Sequence, residues 1–111
     1  MTQIMQILDE YGIIYEASSR LPENLWDDLI LSLSELEDNE CHRIHKFPIT
    51  RLHRIAGLKE EVYRADVKKS SCWRIHLQYG NKMLILKQLS SPEQHDSPIK
   101  YVQSQSRRFK K

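Results

Sequence analysis

Two stretches in the second half of the chain alternate apolar and polar residues with a period of two, which fits extended backbone presenting two unlike faces and does not fit a helix. In Tyr63-Arg64-Ala65-Asp66-Val67 the apolar positions are 63, 65 and 67, and in Trp73-Arg74-Ile75-His76-Leu77-Gln78-Tyr79 they are 73, 75, 77 and 79. Lys69-Ser70-Ser71 supplies a turn between them. Gly80-Asn81 then supplies a tight hairpin connection to the continuous apolar run Met83-Leu84-Ile85-Leu86. Three consecutive strands joined in this way make an antiparallel meander. Its register predicts Arg64, Arg74 and His76 on one solvent-facing side, and a slip of one residue would bury them.

Charge is divided along the chain. Residues 1–40 carry ten Asp and Glu against Arg20 alone, whereas residues 41–111 carry sixteen Lys and Arg against five acids. The formal net charge of +2 hides this separation. The basic pole attracts polyanions, and the counterions it releases on neutralising phosphates favour binding.

Upstream of the meander, Ile4, Met5, Ile7, Leu8 and Tyr11 recur at helical spacing before Gly12, so a short opening helix is expected. The β-branched run Ile13-Ile14-Tyr15-Glu16-Ala17 is expected to be the first strand. A helix starting near Pro22 has Glu23, Asp27 and Asp28 at its positive end and an apolar stripe at Leu25, Trp26, Leu29, Ile30, Leu33 and Leu36, which predicts Trp26 in the core. Cys41 to Leu58 reads as a loop or short helix around Pro48. A last helix starts at Ser97-Pro98 and carries Ile99, Val102 and Phe109 into a basic tail at about residues 103–111. The prediction is a single α+β domain over 1–111: a small antiparallel sheet of an N-terminal strand plus the three-strand meander, with helices packed on one face.

Several classes have no support. No run approaches the roughly 18 apolar residues of a membrane span, and the start of the chain lacks the pattern of a secretory signal, so a cytoplasmic protein is expected. Cys41 and Cys72 form no CxxC pair and read as free thiols. His42, His45 and His53 have no accompanying carboxylate or cysteine pattern, so neither a metal nor another cofactor is expected.

From Arg54 to Phe109 the chain resembles the RelE/ParE superfamily of bacterial toxins, most closely its HigB-like branch. The resemblance is carried by Leu58-Lys59, Val62-Tyr63-Arg64-Ala65-Asp66-Val67, Trp73-Arg74-Ile75-His76-Leu77-Gln78-Tyr79 and Met83-Leu84-Ile85-Leu86. Residues 88–99 sit where HigB-like chains have a loop and a proline-started closing helix. The resemblance implies the toxin of a type II toxin–antitoxin system. Such a toxin is a ribosome-dependent mRNA endoribonuclease (mRNA interferase) that inhibits translation, paired with a cognate antitoxin that covers the cationic face. It also implies metal-independent cleavage by a ribose 2′-hydroxyl. A ParE-like inhibitor of DNA gyrase and a non-catalytic RNA- or protein-binding module are the alternatives, since one scaffold hosts several activities.

Cleavage of that kind needs a base, a cation for the phosphorane and an acid for the leaving oxygen. Arg74 is the first candidate for the phosphate, because its planar fork can donate two parallel hydrogen bonds; its other reading is an ion pair with Asp66. His76 is a candidate base or phosphate ligand, and His95 a candidate acid or base, with an exposed loop position beside Asp96 as the alternative. Arg54, Lys59, Arg64, Lys87, Arg107 and Arg108 are candidate phosphate contacts, each with a merely solvated reading beside it. Tyr79 and Tyr101 are candidates for stacking on a base, with core packing the alternative for Tyr79.

Overall fold

The computed structural model describes residues 4–94 and 98–109. Its elements are β1 (Gln6–Leu8), α1 (Ile13–Arg20), α2 (Trp26–Glu37), α3 (Asn39–Ile44), β2 (His53–Arg54), β3 (Tyr63–Asp66), β4 (Arg74–Gly80), β5 (Met83–Ser90), α4 (Pro98–Ser104) and α5 (Ser106–Phe109). The chain is α+β, as the sequence predicts. The meander β3-β4-β5 pairs antiparallel, and the sheet order is β1-β5-β4-β3-β2. The sheet is mixed, because β1 runs parallel to β5.

At the N-terminus two expected elements exchange places. The segment expected as a helix contains β1, and the run expected as a strand is α1. The Asp9 carboxylate accepts hydrogen bonds from the amides of Ile13 at 2.6 Å and Ile14 at 2.9 Å, and Gly12, at φ 67°, turns the chain into the helix. These two amides have no partner within the helix, so Asp9 offsets the weak helix propensity of the isoleucines. Ile13, Ala17 and Leu21 then line one side of α1 and are buried. β1 is held by its ladder to β5 and by the Met5 amide donating to Glu37 O at 2.9 Å.

Helix α2 buries Leu29 and Leu36, with Leu25 just before it, but Trp26 is 45 % exposed, which corrects its expected place in the core. The stripe is narrower than the pattern allowed, and Trp26 and Ile30 lie outside it. Glu35, on the buried side, accepts from the Ile49 amide at 2.7 Å, the Thr50 amide at 2.8 Å and Thr50 Oγ1 at 2.7 Å. These bonds fasten the irregular link to α2 and aim Arg51 at the sheet.

Both faces of the sheet are covered. On one, Ile13, Ala17, Leu29 and Leu36 pack against Ala65, Ile75, Leu77, Leu84, Leu86 and Leu89. On the other, Val102 and Phe109 pack with Ile55, Leu58 and Val62. There Gln88 Nε2 donates to Tyr101 O at 3.1 Å and Gln78 Nε2 donates to Phe109 O at 3.2 Å. A register shift between His76 and Leu77 sets Leu86 opposite Leu77 and Gln88 opposite His76, so a bulge at Lys87 keeps the leucines on the core side. Among the described residues no helix is long and apolar enough to cross a membrane.

Candidate nucleic-acid interface

Strand pairing brings the cationic candidates together. Arg64 lies opposite His76, Asp66 opposite Arg74, and on the far side of β4, Arg74 opposite Ser90 and His76 opposite Gln88. Directly paired residues share a face, so these side chains form one polar patch on the side that α4 and α5 partly cover. Arg51 reaches in from the link, its Nε donating to Asp66 Oδ2 at 2.6 Å. Arg74 Nε lies 3.3 Å from Asp66 Oδ1, within ion-pair distance but unaligned for a hydrogen bond. The ion-pair reading of Arg74 is therefore present, with the Arg74 side chain only 12 % exposed.

One carboxylate thus pairs with two of three clustered guanidinium groups, Arg51 and Arg74, while Arg64 lies beside them. Burial, reinforced by the positive charges of Arg74 and Arg51, holds the Arg64 guanidinium below its usual pKa despite the opposing pull of Asp66. Four buried polar atoms in the patch have no hydrogen-bond partner among the described residues: Arg64 Nε, Arg74 Nε, His76 Nε2 and Ser90 Oγ. Native proteins leave few such groups, and here they collect in one place. The two arginine nitrogens are donors, and an anion with several oxygens suits them.

His76 sits differently from its expected open position. Its side chain is fully buried, with Nδ1 2.6 Å from Gln88 Oε1 and its ring edge-on to Tyr101 at 6.2 Å. Burial lowers its pKa to about 4; the bond to Gln88 opposes this and the Arg64 and Arg74 charges add to it. An amide oxygen only accepts, so Nδ1 carries the proton and Nε2 presents a bare lone pair. Alternation predicts these polar residues open to solvent; the structure encloses them instead, because alternation assigns a face and does not reveal what lies over it.

The remaining candidates are scattered. Lys87 is buried, 3.7 Å from Glu10 and over the Tyr11 ring, which removes it from the free phosphate contacts. Arg108 also lies over Tyr11, and its Nη1 donates to Lys87 O at 3.0 Å. Arg107 and Lys59 are exposed, away from the strand pairs of the patch. Arg54 is exposed and pairs with Tyr63, so it belongs to the other face. The Tyr101 hydroxyl donates to Leu89 O at 2.8 Å and is thereby occupied. His95 lies outside the described residues. Sequence reasoning missed Arg51 and Ser90. Arg51 lies in a link with no period to read, and the usable signal was Asp66, a lone acid on a cationic face.

Against known family models, curated proteins and solved structures, the chain has no match.

Proposed function

We propose that the protein is a toxin of the RelE kind that acts on RNA, gripping a phosphodiester between Arg64 and Arg74. The observation that carries this reading is that Arg64 Nε and Arg74 Nε are buried without a hydrogen-bond acceptor in a patch where, among the described residues, Asp66 is the one carboxylate and is already paired with Arg51 and Arg74. A phosphate would satisfy both donors and relieve the repulsion between the cations. The excess of Lys and Arg over residues 41–111 draws such a ligand from a distance.

RNA is favoured over DNA by one further group. The bare Nε2 of His76 stands beside the arginines as an acceptor, and a ribose 2′-hydroxyl is a donor that DNA lacks. In cleavage, that nitrogen takes the hydroxyl proton as the 2′-oxygen bonds to phosphorus, the arginines hold the phosphorane charge, and the 5′-oxygen leaves with a proton from an acid. His95 is the residue the sequence offers as that acid. Tyr101 must move for His76 to reach RNA, so binding precedes chemistry in this scheme. An antitoxin with an acidic segment would be drawn to the same patch.

Expression of the chain alone in bacteria tests the reading. Growth arrest with cut transcripts, abolished by Arg74→Ala, is expected. Arrest with DNA damage would transfer the protein to the gyrase inhibitors, and healthy growth would leave a module that binds without poisoning.

A further inference from the structure

On the sheet face away from the arginine patch, near the hairpin end of β4, a cavity of about 180 Å3 is lined by His42, His45, Phe47, Leu52, Tyr63 and Tyr79. All of these but Leu52 carry rings. The rings meet edge to face: His42 and Phe47 at 4.9 Å, His42 and Tyr79 at 5.6 Å, Tyr63 and Tyr79 at 5.1 Å. No pair among them is stacked in parallel, so a flat guest meets aromatic walls. Pockets for drug-sized molecules begin at roughly 300 Å3, so this one takes a single planar ring system.

Its polar character follows from one hydrogen-bonded chain. His42 Nε2 lies 2.7 Å from Leu36 O, and a carbonyl only accepts, so Nε2 carries the proton. His42 Nδ1 lies 2.7 Å from the Tyr79 hydroxyl. With one proton on the imidazole, Nδ1 is bare and Tyr79 donates to it. Tyr79 remains a phenol, because burial and then the neighbouring Tyr63 push its pKa up to about 12. Its only proton is committed to His42, so Tyr79 offers the pocket lone pairs alone. A matching guest must bring a donor on its ring edge. Arg54, opposite Tyr63 and therefore on this face, is exposed and makes no ion pair among the described residues.

We infer that this pocket binds an amino-bearing nucleobase, its exocyclic amine donating to the Tyr79 oxygen and the attached phosphate facing Arg54. The pocket's chemistry stands apart from the arginine patch; only the assignment of the base to an RNA strand rests on the proposed function. Adenosine monophosphate and purine riboside monophosphate separate the idea from simple stacking, since they differ only in the exocyclic amine. In titrations followed by NMR, the adenine nucleotide is expected to shift the ring signals of His42, Tyr63 and Tyr79 and to bind about tenfold or more tightly than the purine riboside nucleotide. Tyr79→Phe keeps the ring and removes the acceptor, and is expected to level the two affinities. Should that variant fold poorly, Arg54→Ala, at an exposed position, is expected to weaken the nucleotide while leaving adenosine unchanged.

Equal affinity for the two nucleotides, tighter binding of indole than of adenosine, or unshifted ring signals would overturn the inference. A short oligoadenylate RNA that binds more tightly than the mononucleotide assigns the base to a strand, and equal binding assigns it to a free nucleotide. Arg74→Ala keeps the two proposals distinguishable: loss of RNA binding with mononucleotide binding intact bears on the arginine patch alone.

Discussion

Asp66 divides its carboxylate between two arginines, with Oδ2 2.6 Å from Arg51 and Oδ1 3.3 Å from Arg74. It is 3 % exposed, and its backbone is tied down by the Asp66 amide donating to Thr50 O and by Ser32 Oγ donating to Asp66 O. Arg74 comes from the neighbouring strand, whereas Arg51 comes from a loop, where its φ of 50° shows that the contact costs backbone energy. The carboxylate therefore holds apart cations that would otherwise repel one another, and holds Arg74 in reserve.

Asp66→Asn leaves Arg51, Arg64 and Arg74 with no counter-charge from this strand. A loss of roughly 2–3 kcal/mol in unfolding free energy by urea titration is expected, less than for a fully buried pair because Arg51 is half in water. Saturating inorganic phosphate should recover part of the loss by mass action, and more of it than for the parent protein. Absence of any such recovery would count against an anion site here.

His76 sets a pH dependence of stability. Its pKa is about 4 when folded and about 6.5 in an unfolded chain, so the unfolded state binds more protons between those values. The contribution of the neutral imidazole is fully present above about pH 6.5 and is lost as the pH falls towards 4, by roughly 3 kcal/mol across the window. Urea titrations at intervals over that range should show the slope, and His76→Gln should flatten it.

Glu35→Ala strips the part-buried Ile49 amide and the buried Thr50 amide and hydroxyl of their acceptor. Three orphaned donors, one of them partly open to water, make a loss of roughly 2–4 kcal/mol the expected result. Hydrogen exchange at these two amides should accelerate more than in the β4–β5 ladder. Uniform acceleration would mean that the link is not a separate unit.

Gly57→Ala tests the seating of α4. Gly57 has φ +88°, and a Cβ there would stand 2.8 Å from Ile99 Cδ1. Backbone strain and displacement of Ile99 together are expected to cost about 1–2 kcal/mol. Chemical modification of His76 by an imidazole-specific reagent should quicken, because Tyr101 on the same helix covers its ring.

The meander and α2 were legible because their periods extend over several residues with consistent apolar spacing. The hairpin lies one residue later than Gly80-Asn81: Gly80 ends β4 and pairs with Met83, and Asn81-Lys82, at φ 52° and 61°, make the turn. The N-terminus misled for a local reason: propensity favoured a strand at Ile13 and Ile14, while a carboxylate four residues earlier decided for a helix. Asp9 is the readable signal of that helix, since its carboxylate takes the first two helical amides. Arg64, Arg74 and His76 were correctly grouped by alternation. Their enclosure was hidden because Gln78 and Gln88 satisfy the carbonyls of α4 and α5 from within the sheet, allowing polar strand residues to lie beneath helices.

The parallel ladder of β1 with β5, Gln6 against Met83, carries a consequence for synthesis. A ribosome delivers residues in order, so the first strand emerges long before the partner it needs. During that interval Ile13, Ala17, Leu29 and Leu36 lack the leucines of β5 against which they pack. Closure of the core is deferred to the end of translation, and such distant pairing slows it further.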